Sequence, residues 1–213
     1  MSSKTEYRPA PARPNLSLAV LAGLYTVWAI AFVWRGSFVA IDGNRYSSLF
    51  DDALISMRYA WNLSHGAGLV WNPGEYVEGY SNLLMTLFMS IWTFFLTKRE
   101  AVLAVKLAGI PFIVGSAYFA VRISRCIRLG SGEAARPLLE LMVYAGTLLY
   151  YPLSYWTLMG METGMLTALL LVSLWQAFRL GRASSIKDSV LLGLSLGLLY
   201  LTRADSLVPR CLS

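Results

Sequence analysis

Apolar runs recur along this chain, and its charged residues fall almost entirely between them. Leu16 to Trp34 carries no charge, and Val102 to Val121 carries one, Lys106. Each is near the roughly 20 residues needed to cross a hydrocarbon core of about 30 Å. Further apolar runs cover Leu138–Leu153, Thr163–Phe178 and Val190–Leu201. A soluble domain carries roughly a quarter charged residues; here the share is 14%, against 56% hydrophobic. The expected fold class is all-α, a polytopic transmembrane helical bundle, with a long extracytoplasmic first loop that contains interfacial helices.

In such a protein the formal charge of +6 is mainly a topology signal, because Lys and Arg collect in cytoplasmic loops. No basic run interleaved with aromatics asks for a nucleic-acid partner. Residues 1–14, with Lys4, Arg8, Arg13 and three prolines, read as a disordered cytoplasmic tail. The run after it is longer than a signal-peptide core and lacks a small-residue cleavage site, so it reads as an uncleaved first span. The two cysteines, Cys126 and Cys211, lie far apart and read as unpaired thiols.

The residues between the first two spans set the rest. Arg35 to Asn82 forms an acidic polar loop, with Asp42, Asp51, Asp52, Glu75 and Glu78 against Arg35, Arg45 and Arg58. Asp51–Ser64 has no Gly or Pro, and Gly66 and Gly68 follow, which predicts a helix with a glycine stop. Trp71-Asn72-Pro73-Gly74 predicts a turn. Asn82–Thr97 is apolar but reaches only about 24 Å. If it crosses the membrane, the cluster Arg122, Arg125, Arg128 and Arg136 lands outside and Glu162 inside. If it does not, every basic loop is cytoplasmic and Glu162 shares a side with Asp51. The second arrangement obeys the positive-inside rule. It predicts an interfacial helix over 82–97 and five spanning helices, the last incomplete.

On a helix, Asp51, Arg58, Asn62 and His65 fall within a sector of about 60°, with Asp52 roughly a quarter turn away. A carboxylate, a cation, an amide and an imidazole on one face suit a general base beside an anion-binding group. The competing reading makes Asp51 a favourable helix-start acid and leaves Arg58 solvated. Glu78 and Tyr80 sit in the segment GEYVEGYSN, either returning to a pocket or forming a solvated turn. His65 and Glu78 could share a divalent cation, though two ligands make a weak metal signal. Lys106, expected about one turn inside its span, reads either as a contact for a lipid phosphate or as a snorkelling side chain. Glu162 stands at the outer mouth between two spans. Arg203 and Asp205 either pair with each other or mark the end of the last hydrophobic segment. No phosphate-binding loop, nucleophile elbow or zinc-helix motif is present.

The segments DDALISMRYAWNLSHGAGLVWNPGEYVEGYSNLLM, VKLAG, YWTLMGMETGM and LTRAD, in this order, resemble integral-membrane glycosyltransferases of the GT-C class. Within it they are most similar to the branch that includes mycobacterial cell-wall arabinofuranosyltransferases. The likeness is dense over Phe50–Asn82 and thinner through Asp205. It implies transfer of a sugar, with arabinofuranose the candidate, from a polyprenyl-phosphate-linked donor to an envelope glycan or lipid acceptor. The active site would face outside the cytoplasmic membrane, with the N-terminus cytoplasmic. By the same resemblance Asp51 and Asp52 are the catalytic acids, Glu78 and Glu162 approach the cavity, and Arg58 or Lys106 meets the donor phosphate. The class also has an interfacial helix after its first loop. Its members carry more helices than this chain, so residues 15–208 read as an N-terminal module or truncated form, with an atypical end at 209–213. A truncated, inactive paralogue and a non-enzymatic transporter or lipid-binding protein are the alternatives. A transporter would place charges deep in several spans, where this chain offers mainly Lys106.

Overall fold

A computed structural model describes residues 16–127, 136–182 and 185–203. The N-terminal tail, Arg128, Asp205, Cys211 and residues 209–213 lie outside the described residues. Helix α1 (Leu16–Arg35) leads into a two-stranded hairpin, β1 (Ser37–Val39) and β2 (Arg45–Ser47), and then into α2 (Asp51–Ser64). After a loop come α3 (Leu83–Phe95), α4 (Lys98–Cys126), α5 (Arg136–Leu148), α6 (Tyr151–Leu158), α7 (Thr163–Leu180) and α8 (Ile186–Thr202).

The bundle buries an apolar core threaded with small hydroxyl side chains, and its outer surface is apolar as well. On α1 the buried residues Tyr25, Ala29 and Val33 recur every fourth position, a single stripe against the bundle. Leu24, Val27 and Trp28 face outward, and only 17% of the helix is covered by protein. Meanwhile Ser116, Ser154, Thr157, Ser173 and Ser195 are buried. The Tyr25 hydroxyl donates to Ser154 Oγ at 2.9 Å, and Ser173 to Ser195 Oγ at 2.9 Å. An apolar surface of this extent is compatible with a membrane, and small hydroxyl side chains at helix contacts are common in the packing of membrane helices. Helices α1, α4 and α7 are long and apolar enough to cross a membrane.

Of the five expected spans, three are matched by these helices. Helix α5 has 13 residues and ends short of the expected Leu153, while α8 has 17 and runs past both ends of the expected Val190–Leu201. The expected run Leu138–Leu153 breaks after Leu148, four residues before Pro152. A proline there has no N–H to return to the Leu148 carbonyl, and its ring crowds that oxygen. The Ser154 hydroxyl donates to the Leu148 carbonyl instead, at 3.1 Å. The chain restarts as α6, which the sequence pattern does not predict.

Helix α4 is the central element and touches α1, α3, α5, α6 and α7. It begins at Lys98, four residues earlier than expected, because Thr97 and Glu100 form a reciprocal cap. Thr97 Oγ1 accepts from the Glu100 N–H, and Glu100 Oε2 accepts from the Thr97 N–H at 3.1 Å. The hairpin, the one sheet among the described residues, departs from the all-α expectation. Ala40–Gly43 form a turn closed by the Gly43 N–H on the Ala40 carbonyl at 3.0 Å. Gly43, at φ +76°, supplies the left-handed residue that such three-residue connections require.

The two ends of the bundle differ. At one end Arg125 makes a bidentate pair with Glu140, at 2.8 and 2.7 Å, and Arg179 pairs with Asp188 at 3.1 Å. Arg182 donates to the Cys126 carbonyl there, which ties the α4 and α7 ends together. Glu140 is 8% exposed, so removing the Arg125 fork takes two charge-assisted hydrogen bonds from a buried carboxylate, at a cost of about 1.5–3 kcal/mol. Arg125→Ala is expected to lower unfolding stability in detergent by about that much. Arg125→Lys, which keeps the charge and loses the fork, is expected to cost less; equal midpoints for wild type and Arg125→Ala would contradict this.

At the other end lie the hairpin, α2, α3, α6 and the α6–α7 turn. Both ends of α3 are held there. Asn82, just before it, donates to Glu162 Oε2 at 3.1 Å, and Arg99, just after it, donates to Asn44 Oδ1 at 2.8 Å.

Candidate functional site

Helix α2 has the bounds its sequence predicts. Gly66 (φ +83°) follows it in the left-handed region and donates to the Leu63 carbonyl at 3.2 Å, closing the helix end. The expected turn forms across Asn72–Glu75, closed by the Glu75 N–H on the Asn72 carbonyl at 3.0 Å with Gly74 at φ +87°.

The start of α2 is fixed to the α6–α7 turn. The Phe50 N–H donates to the Met159 carbonyl at 2.9 Å, and the Phe50 ring stands edge-on to Trp156 with centroids 4.7 Å apart. Gly160 sits between the two pieces at φ +90°, and a Cβ there would lie 2.5 Å from Leu49 Cδ2. Gly160→Ala is expected to cost about 1–3 kcal/mol from backbone strain alone. It should also loosen this junction, read as faster amide exchange at the first turn of α2; unaltered exchange would refute the coupling.

Asp51 and Asp52 form the first turn of α2, where a carboxylate is favoured. Both are exposed, and neither accepts a hydrogen bond from another side chain among the described residues. The two point to different surroundings. Arg58 and Asn62 share the Asp51 face, and that face is taken up by the loop. Arg58 donates to the Trp71 carbonyl at 3.0 Å and to Asn72 Oδ1 at 2.7 Å, and stacks on Trp71 at 4.2 Å. Asn62 Nδ2 donates to the Val70 and Trp71 carbonyls, at 2.8 and 3.0 Å. These two side chains shape the loop around α2. His65 stacks on Trp61 at 3.9 Å, with Nδ1 2.9 Å from the Trp61 carbonyl.

Asp52 lies on the face of Ser56 and Tyr59. Here the structure assembles a chain of polar groups that local sequence patterns do not announce. The Ser56 hydroxyl donates to Asn82 Oδ1 at 2.8 Å, and Asn82 Nδ2 donates to Glu162 Oε2. Arg203 Nη1 lies 3.7 Å from Glu162 Oε1. Glu162 is 4% exposed and Asn82 6%. Arg203 therefore pairs with Glu162; the alternative partner, Asp205, lies outside the described residues. Beside this chain the Tyr59 hydroxyl donates to the Val77 carbonyl at 2.8 Å, and Tyr80 packs edge-on to Tyr59 at 5.0 Å. Burial holds the Tyr80 hydroxyl above its usual pKa, and the neighbouring Glu78 charge adds to the shift. Glu78 itself is exposed.

Lys106 is 1% exposed and lies two turns into α4, not one, because the Thr97 cap starts the helix early. It does not snorkel. Its Nζ donates to the Ser48 carbonyl at 3.0 Å and approaches Met159 Sδ at 3.9 Å. Both contacts belong to segments that meet at the start of α2. No carboxylate pairs with Lys106 among the described residues. Nor do three His, Cys, Asp or Glu side chains gather among them in a metal-binding group; His65 and Glu78 gain no third ligand.

No known protein family, curated protein or solved structure matches this chain. The functional reading therefore stands on residues and geometry.

Proposed function

We propose that this chain is a membrane glycosyltransferase, or a module of one. It would move a sugar, with arabinofuranose the candidate, from a polyprenyl-phosphate carrier to an envelope glycan or lipid. The observation that carries the reading is a juxtaposition at one bundle end. Two exposed carboxylates stand at a fixed helix start, near a buried cation and a buried glutamate held by an amide and an arginine. Among the described residues the carboxylates have no side-chain partner and the cation has no acid partner.

The chemistry asks for those parts. An acceptor hydroxyl is a weak nucleophile at neutral pH, so a carboxylate takes its proton as the oxygen attacks the anomeric carbon. The carbon–oxygen bond to the carrier phosphate breaks, and the phosphate leaves with the electron pair. A nearby cation stabilises the charge that develops on it. Asp51 and Asp52 serve as the base and its partner. Asp52 is the better placed for the transfer centre, since it shares its side of α2 with the Ser56–Asn82–Glu162 chain. With Arg58 committed to the loop, Lys106 is the phosphate contact. The apolar flanks of α1, α4 and α7 offer the carrier tail a lipid-exposed route to this end.

In this reading the end bearing α2 is extracytoplasmic, and the end bearing Arg125, Arg179 and Arg182 is cytoplasmic. Helix α3, held at both ends by the outer elements, lies along the interface. Cysteines introduced at Lys98 and Arg136 test the topology: external labelling at Lys98 alone is expected, and labelling at Arg136 alone would reverse it. The activity is tested by supplying the full chain in vesicles with a polyprenyl-phosphate-linked sugar and following sugar transfer to acceptor glycan. Absence of transfer, with the chain folded, would favour a lipid-binding role without chemistry.

A further inference from the structure

A second site stands apart from α2. A cleft of about 300 Å³ opens between the end of α1, the β1–β2 hairpin and the first turns of α4. Val33, Trp34 and Leu103 make its apolar wall, and Arg45 and Arg99 stand at its polar side.

The hairpin carries Arg45 and contacts Arg99, which lies in the first turn of α4. The Arg45 guanidinium lies over the Trp34 ring at 4.4 Å, and its Nη1 donates to Ser37 Oγ at 2.9 Å. Arg99 is held through Nη1 by Asn44. Each guanidinium has five N–H donors, so most of the donors on both remain open. Neither arginine makes an ion pair among the described residues. Two acids are close. Glu100 also lines the cleft, with its Oε2 accepting from the Thr97 N–H and hydroxyl. Asp42 accepts from Asn44 and from the Tyr46 hydroxyl at 2.7 Å. Those bonds hold the Asp42 carboxyl down at about 2, so it stays ionised and bound to its own hairpin.

We infer that this cleft binds the phosphate of an anionic phospholipid, with Arg45 and Arg99 on the headgroup and the Val33–Trp34–Leu103 wall along the first part of an acyl chain. A lipid fits better than a soluble anion. Most of the cleft wall is apolar, it lies at the end of an apolar helix, and exposed Trp34 and Leu103 continue it onto the outer flank of the bundle. Tryptophan and arginine together at a helix end are the side chains that anchor proteins at the headgroup level. The inference requires a bilayer around the chain and is independent of sugar transfer.

The test uses the full chain in a non-ionic detergent, with retained lipid read by native mass spectrometry. Phosphatidylglycerol is expected to be retained about tenfold more than phosphatidylcholine, the scale of one charge-assisted pair. Arg45→Gln with Arg99→Gln is expected to remove that preference. The same loss of two charges at Arg136 and Lys187, exposed at the other end, should leave it intact. Equal retention of the two lipids by the wild-type chain overturns the inference, whether or not the double variant folds. So does an undiminished preference in a folded Arg45/Arg99 variant. Millimolar inorganic phosphate should not displace the lipid; displacement would assign the cleft to a soluble anion.

Discussion

Replacing both Asp51 and Asp52 by asparagine is expected to leave the bundle folded and to lower the proposed sugar transfer by about 10²- to 10⁴-fold, the range of a lost general base. Folding survives because neither carboxylate holds a hydrogen-bond partner among the described residues and both are exposed. The first turn of α2 loses only a favourable helix-dipole contact. The single variants divide the effect. Asp52→Asn is expected to carry the larger loss, since its side of the helix leads to Asn82 and Glu162. Asp51→Asn is expected to be milder, since its side is filled by the loop that Arg58 and Asn62 hold. Transfer by the double variant at the wild-type rate, measured with a polyprenyl-phosphate-linked donor, would remove the catalytic assignment.

Lys106→Met gives the second large effect, with stability and activity moving apart. A buried ammonium whose contacts are one carbonyl and one thioether is poorly compensated for leaving water. Methionine has similar length and no charge to bury. Replacing buried charge by such a residue is commonly neutral or stabilising by about 1–4 kcal/mol, so the thermal midpoint in detergent is expected to hold or rise. Sugar transfer is expected to fall by about 10²-fold or more, the scale of one missing donor to a developing anion. A variant that loses stability and keeps its turnover would make Lys106 a structural fixture of the Ser48–Met159 junction instead.

Much of the frame was legible because its signals are local. A charge-free run marks α1. The absence of Gly and Pro, followed by Gly66, marks both limits of α2. Pro73-Gly74 marks the turn. Three further local signals are present in the chain. Thr97 and Glu100 spell a capping box, which starts α4 early and carries Lys106 deeper. Asp42-Gly43 between short alternating runs marks the hairpin. Pro152 marks the end of α5. The candidate site was legible only in part, since helical spacing groups side chains without naming their partners. It sets Arg58 and Asn62 beside Asp51, which points them to a substrate. Their actual partners lie in Val70–Asn72, brought back by a turn. Ser56, Asn82 and Glu162 sit far apart in the sequence, and no periodicity connects them.

That last connection has a consequence for how the protein is made. In the proposed topology, Ser56 and Asn82 can meet as soon as the first loop has left the translocation machinery. The glutamate that completes their chain is 80 residues further on, and Arg203 arrives later still, with the close of α8. Until then the Asn82 amide must be satisfied by water at the membrane surface. The outer elements therefore reach their working arrangement only after the later helices have been inserted, and a ribosome stalled within α7 would display a loop already helical but not yet docked.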